Sequence, residues 1–160
     1  KRSQGHTDVT YRANSGFRMS YERYRKGDRL RLQGDELAWQ SAAAPPSDSR
    51  VTFRSFLDRV FAYANTVSIA RDGALVDKND ARPGDYFVLP GSPGHAVLIL
   101  DIARSEKGER RALLGQGYMP AQSFHVLRGE EGTAWFSLDH AEITTPFWRP
   151  FPWSALRRMD

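Results

Sequence analysis

The sequence predicts an α+β domain, with helices on one side of an antiparallel sheet. Three observations lead there. Phe53, Phe56, Leu57, Val60, Phe61 and Ala64 mark one apolar face of a helix with a 3.6-residue period. Residues 84–128 then hold short apolar runs parted by Gly/Pro turns, the pattern of strands. The best helix precedes the strands instead of alternating with them, which is the order of an α+β chain. One domain is expected over residues 1–160: a helical part at 1–71, a strand-rich core at 84–128 and an aromatic tail at 144–160.

Each element has its own signal. Asp8-Val9-Thr10-Tyr11 alternates as a short strand would, whereas Gly16 to Arg25 reads equally as helix or strand. Lys26-Gly27-Asp28 is a turn, and Leu30, Leu32, Leu37 and Trp39 supply apolar contacts without a clear period. After a loop at Ser41–Ser49, one of Ser47, Asp48 and Ser49 caps the main helix by accepting from its free backbone N–H groups. A second short helix is expected at Thr66–Arg71, and turns at Asp72-Gly73 and Lys78-Asn79-Asp80. Strands follow at Asp85–Leu89 and His95–Ala103. Ala96-Val97-Leu98-Ile99-Leu100 is apolar on both faces, the mark of a central strand covered on both sides. A hairpin loop at Ser105–Glu109 leads to an antiparallel return at Arg111–Gly115. A turn at Met119-Pro120 precedes a strand at Ser123–Leu127, and alternation resumes at Thr133–Leu138. The tail closes with a short helix at Ser154–Met159; its aromatic and proline residues either wrap the core or present a peptide-binding surface.

Composition narrows the function. The net charge of +4 comes from 19 Arg and 4 Lys against 19 acidic residues, scattered and interleaved as on a mixed solvated surface. Arg18, Arg23, Arg25 and Arg29 with Tyr21 and Tyr24 come nearest to a nucleic-acid stripe, but no nucleic-acid partner is expected. No apolar run approaches the ~20 residues of a membrane span. With no Cys, these residues hold neither a disulfide nor a thiolate ligand or nucleophile. His6, His95, His125 and His140 lack metal-ligand spacing, and no phosphate-cradling glycine loop precedes a helix, so no cofactor is expected. The chain opens Lys1-Arg2-Ser3 without Met or an apolar leader, which reads as a start within a longer protein or after processing.

The residue with most chemistry is His95. It opens a buried strand after Pro93-Gly94, so its ring sits at a sheet rim where it can act as a catalytic base. The alternative is a hydrogen-bonded structural histidine. Asp101 is excluded as its partner, because six residues of strand span about 20 Å. With Lys107-Gly108 at the hairpin tip, Gln116 falls opposite Ile99 and Tyr118 opposite Val97, both on the face of His95. A bulge at Gly115 or Gly117 would then slide Gln116 or Tyr118 to the ring. Gln122, Ser123 and His125 border the same mouth. Ser15, Ser20, Ser92 and Ser123 are the available hydroxyls, none in a Gly-x-Ser-x-Gly elbow.

Pro83-Gly84-Asp85, an apolar strand and then Gly94-His95-Ala96-Val97 resemble the core of papain-like cell-wall amidases and peptidases of the NlpC/P60 and CHAP type. Nearly the whole chain resembles a bacterial family, domain of unknown function 4846. The matching pieces are Val60–Ala64, Pro83–Asp85, Gly91–Ala96, Gln116–Leu127 and Thr145–Trp148. These resemblances imply a papain-like fold lacking its N-terminal helix here, and an exported or envelope location. They also imply an amide-bond hydrolase of cell-wall peptide whose nucleophile is a Cys upstream, or a catalytically inactive module that binds a glycan or peptide. His95 would be the base and Gln116 its orienter or an oxyanion-stabilising group. Tyr118, Gln122, Ser123, His125 and Asp85 would line the cleft.

Overall fold

The computed structural model describes residues 9–118, 122–129 and 132–159. The expected turn at Met119-Pro120, together with Asp8 and His6, lies outside them. The described residues form an α+β chain of three α-helices and thirteen strands. They fall into two compact units, residues 1–72 and 73–160, each with its own apolar core.

The first unit holds all three helices. β1 (Thr10–Arg12) and β2 (Arg18–Ser20) form a hairpin, followed by α1 (Tyr21–Arg25). β3 (Arg29–Gln33) and β4 (Glu36–Gln40) form a second hairpin through Gly34-Asp35, where Gly34 has a φ of 61°. Primed two-residue turns demand this left-handed backbone, and glycine adopts it without a Cβ clash. Tyr21 and Tyr24 are buried against Phe56, while Arg23 and Arg25 pair with Asp28 and Glu22. Hydrogen bonds from Arg25 and Lys26 lower the pKa of Glu22.

α2 (Arg50–Tyr63) is the expected main helix, and Ser49 takes the cap, its hydroxyl accepting from the Thr52 N–H at 3.1 Å. Its buried side is narrower than the sequence pattern suggests. Phe56 and Val60 are fully buried, Phe53, Leu57 and Tyr63 partly so, and Phe61 is 67% exposed. At about 100° per residue, Phe61 lies roughly 140° around from Phe56, while Tyr63 returns to within about 20° of it. Angular position around the axis therefore favours Tyr63 over Phe61. α3 (Thr66–Asp72) completes the unit, its start fixed by the Asn65 side chain accepting from the Val67 and Ser68 N–H groups.

The second unit contains strands and 3-10 turns among its described residues. Seven of its strands are β5 (Ala74–Leu75), β6 (Tyr86–Leu89), β7 (His95–Arg104), β8 (Arg110–Tyr118), β9 (Gln122–Val126), β10 (Trp135–Ser137) and β13 (Leu156–Arg158). They form one antiparallel sheet in the order β10-β8-β7-β6-β13-β5, with β9 also on β8. β11 (Glu142–Ile143) pairs separately with β12 (Phe151–Pro152). One edge of β8 serves two short strands: β10 along Arg111–Leu113 and β9 along Gly115–Tyr118.

Two expectations are corrected here. The tail ends in a 3-10 turn (Trp153–Ala155) and a strand, not in a helix over Ser154–Met159, and that strand lies between β6 and β5. β7 is central but not sealed on both faces: His95, Val97 and Ile99 are buried, whereas Ala96, Leu98 and Leu100 are half-buried. The buried face packs with Phe87, Leu114, Phe151 and Leu156 in a single core.

Candidate functional site

The position of His95 is set from upstream. In Arg82-Pro83-Gly84-Asp85, proline fixes one turn residue and Gly84 supplies a φ of 93°, the type II pattern, closed by the Asp85 N–H donating to the Arg82 carbonyl at 3.1 Å. The Gly84 N–H donates to the Ile99 carbonyl and the Ile99 N–H to the Asp85 carbonyl, locking the start of β6 onto β7. The Asp85 carboxylate is 1% exposed and accepts from Arg158 Nε at 2.7 Å, Arg158 Nη2 at 2.8 Å and the Arg82 N–H at 2.9 Å. Asp85 is thus committed to a buried brace between β6 and β13. The β6–β7 ladder ends at the pair Leu89–His95, and the connecting loop contains a cis Ser92–Pro93 peptide.

Gln116 meets the histidine. His95 Nε2 and Gln116 Oε1 lie 2.6 Å apart, with the two residues 7% and 2% exposed. The register that brings them together differs from the expected one in two steps. The hairpin tip is a three-residue loop with Gly108 at a φ of 83°, not a two-residue turn at Lys107-Gly108. A bulge then places Leu100 as an extra residue of β7 between the pairs Ile99–Leu114 and Asp101–Leu113. Each step shifts pairing by one residue. Together they preserve which face each side chain occupies and slide β8 by two, so that Gln116 reaches His95 diagonally across the ladder.

Gly115 makes room for this bulge. A Cβ there would stand 2.5 Å from Phe124 Cζ and 2.9 Å from Leu100 Cδ1. The bulge is on β7, and the glycine faces it from β8. Asp101, beyond the bulge, is exposed and its carboxylate accepts from the Ile102 N–H, so it plays no part at the histidine.

Aromatic rings enclose the pair. Trp148 lies 4.8 Å from the His95 ring centroid, Tyr118 meets it edge-on at 5.3 Å, and Phe151 lies at 6.2 Å. The Tyr118 hydroxyl donates to the Phe147 carbonyl at 3.2 Å, tying the tail to β8. Trp148 and Phe151 escaped sequence reasoning. Their cluster of aromatic and proline residues was visible, but nothing in a local pattern places a tail against a particular strand.

An amide oxygen only accepts, so the orientation assigned to Gln116, with Oε1 toward the ring, requires the imidazole proton on Nε2 and leaves Nδ1 as the acceptor. Nδ1 has no hydrogen-bond partner among the described residues, and unlike Trp148 Nε1 and Thr145 Oγ1 it is not a fully buried unpartnered atom. This arrangement can accept a proton at Nδ1 and steady the resulting imidazolium through Gln116.

The remaining predicted residues sit on β9. His125 pairs directly with Gln116, and its Nδ1 lies 2.9 Å from the Ser123 carbonyl. Gln122 pairs with Tyr118, and both Gln122 and Ser123 are exposed. Among the described residues, no three His, Asp or Glu converge as a metal would require. A groove of about 600 Å³ is lined by Glu109, Arg111, Trp135, His140 and Glu142 among others; neither His95 nor Gln116 borders it.

The family described as domain of unknown function (4846) matches residues 2–158. The chain belongs to this family. The match takes in the His95–Gln116 pair and every ring around it. No curated protein and no solved structure matches the chain. Among the described residues, no helix is long and apolar enough to cross a membrane.

Proposed function

We propose that this member of the domain of unknown function (4846) family carries the base of a papain-like hydrolase that cleaves amide bonds of cell-wall peptide in the bacterial envelope. Its nucleophile would come from outside these 160 residues, which contain no cysteine. The observation that carries this reading is the 2.6 Å contact between His95 Nε2 and Gln116 Oε1, which leaves Nδ1 to accept a proton. The likeness of Pro83–Asp85 and Gly94–Val97 to NlpC/P60 and CHAP enzymes supports it.

In this reaction a thiol gives its proton to His95 Nδ1, and the thiolate attacks the amide carbon. The proton passes from the imidazolium to the departing amine as the C–N bond breaks. Water then releases the acyl group, with His95 again taking the proton. Gln116 holds the ring in one tautomer and accepts from its Nε2–H throughout, the role of the third group of a triad. Tyr118, with Gln122, Ser123 and His125 on β9, forms the wall along which substrate lies.

The test is hydrolysis of purified peptidoglycan fragments by the full-length protein. His95→Ala should lower the rate by about 10²- to 10⁴-fold, the usual contribution of a positioned general base. An unchanged rate removes His95 from the mechanism. A second reading, a non-catalytic module of the same fold that binds a glycan or peptide, is favoured by one contrast: His95 is only 7% exposed beneath its rings, while Phe147 is 84% exposed. Retention of wild-type protein on peptidoglycan without hydrolysis would select it.

A further inference from the structure

Phe147 combines three features that no turn residue needs for folding. It is the most exposed of the large hydrophobic side chains among the described residues, at 84%. Its φ is 68°, in the left-handed region where a side chain clashes with its own backbone and where glycine or asparagine sits more easily. Its carbonyl is gripped by the Tyr118 hydroxyl, so the strained turn is fixed to β8 at the candidate site. The flanking residues add to the cost, since Thr145 Oγ1 and Trp148 Nε1 are buried without hydrogen-bond partners among the described residues.

The ring does not stand alone. Phe147 lies 6.4 Å from Tyr118, Tyr118 lies 5.3 Å from His95, and His95 lies 4.8 Å from Trp148. These contacts form one aromatic series running from solvent to the buried imidazole. An exposed ring held in a strained conformation at the outer end of such a series is placed for contact, because strained backbone of this kind persists where function demands it. A flat apolar ring buries alkyl surface and offers no charge to pair.

We propose that Phe147 is a substrate-contacting residue, which packs against an apolar side chain of a cell-wall peptide whose amide bond lies toward His95. The inference rests on the substrate class proposed above, and not on catalysis. It is tested with full-length wild type, Phe147→Gly and Phe147→Asn on two probes, intact peptidoglycan sacculi and peptide-free glycan strands, with thermal melts in parallel. Wild type should bind sacculi and leave the glycan strands unbound. Both variants should bind sacculi roughly tenfold more weakly, the loss typical of an interface anchor, while melting at the same temperature as wild type or a few degrees above it. A purely structural turn gives a different pattern: variants that melt lower, or that bind as wild type does, overturn the proposal. So does wild type that ignores sacculi or binds bare glycan equally well. If binding depends on Phe147 and His95→Ala leaves hydrolysis unchanged, the contact stands and the catalytic reading falls.

Discussion

Two turns of the sheet unit can be compared, each with a proline followed by a residue with positive φ. At Arg82–Asp85 the second position is Gly84, with a φ of 93°; at Thr145–Trp148 it is Phe147, with a φ of 68°. The first turn is braced at its exit by the buried Asp85–Arg158 pair and feeds β6 into the core. The second is tied to β8 by a hydrogen bond from Tyr118 and carries its side chain into solvent. The same backbone device thus appears once in a form that minimises its own cost and once in a form that does not. Where the turn only builds the fold, the residue is glycine. Where it borders the histidine, the residue is a large ring in an unfavourable conformation.

The comparison can be broken most forcefully at the first turn. Arg158→Ala would strand the Asp85 carboxylate in the core, and loss of one partner of a buried pair costs about 3–5 kcal/mol. Denaturant unfolding should show that loss, and a change below about 1 kcal/mol would mean that water reaches Asp85. Gly84→Ala comes next. A Cβ at Gly84 meets nothing within 4 Å, so the whole effect is backbone strain, about 1–2 kcal/mol of destabilisation. Phe147→Gly should have the opposite sign. Relief of the same strain, less about 0.5–1 kcal/mol for glycine's extra freedom in the unfolded chain, leaves stability unchanged or slightly raised. Equal losses from Gly84→Ala and Phe147→Gly would show the two turns to be equivalent and end the contrast. Tyr118→Phe removes one partly exposed hydrogen bond worth about 0.5–1 kcal/mol. Its clearer signature should be greater mobility at Phe147, read as faster amide hydrogen exchange in residues 145–148.

Much of this arrangement was legible in local sequence. Pro83-Gly84-Asp85 announces its turn, Phe56 and Val60 their helix face, and the position of Gln116 on the hairpin return already placed it on the face of His95. What local reading lacked was tertiary. The Leu100 bulge coincides with a close approach of Leu100 and Phe124 over Gly115, an arrangement of three strands that no single strand encodes. Where a bulge is expected at Gly115 or Gly117, the β7–β8 pairing carries its extra residue on β7, while a second register shift lies between Gln116 and Tyr118 where β8 meets β9. Gln116 reaches His95 as expected. β13 is three residues long, too short for a period of two to show, and Leu156-Arg157-Arg158 reads as well in a helix as in a strand. The hairpin at Gly34-Asp35 has its turn dipeptide in the sequence but no readable strands, because Leu30, Leu32 and Leu37 are too sparse to establish alternation.

The position of β13 also bears on how the sheet is made. Among the described residues β5 finds its ladder partner in β13 alone, and β13 lies between it and β6. As the chain emerges from a ribosome, Ala74-Leu75 must therefore wait, unpaired, until residues 156–158 have been synthesised. The Asp85 carboxylate waits equally long for Arg158. β6 through β8 can pair by short hairpins well before then, but their exposed β6 edge stays open during that interval. Residues 156–158 close both the sheet and the charge within it, so the sheet unit is vulnerable on the ribosome until that segment has been made.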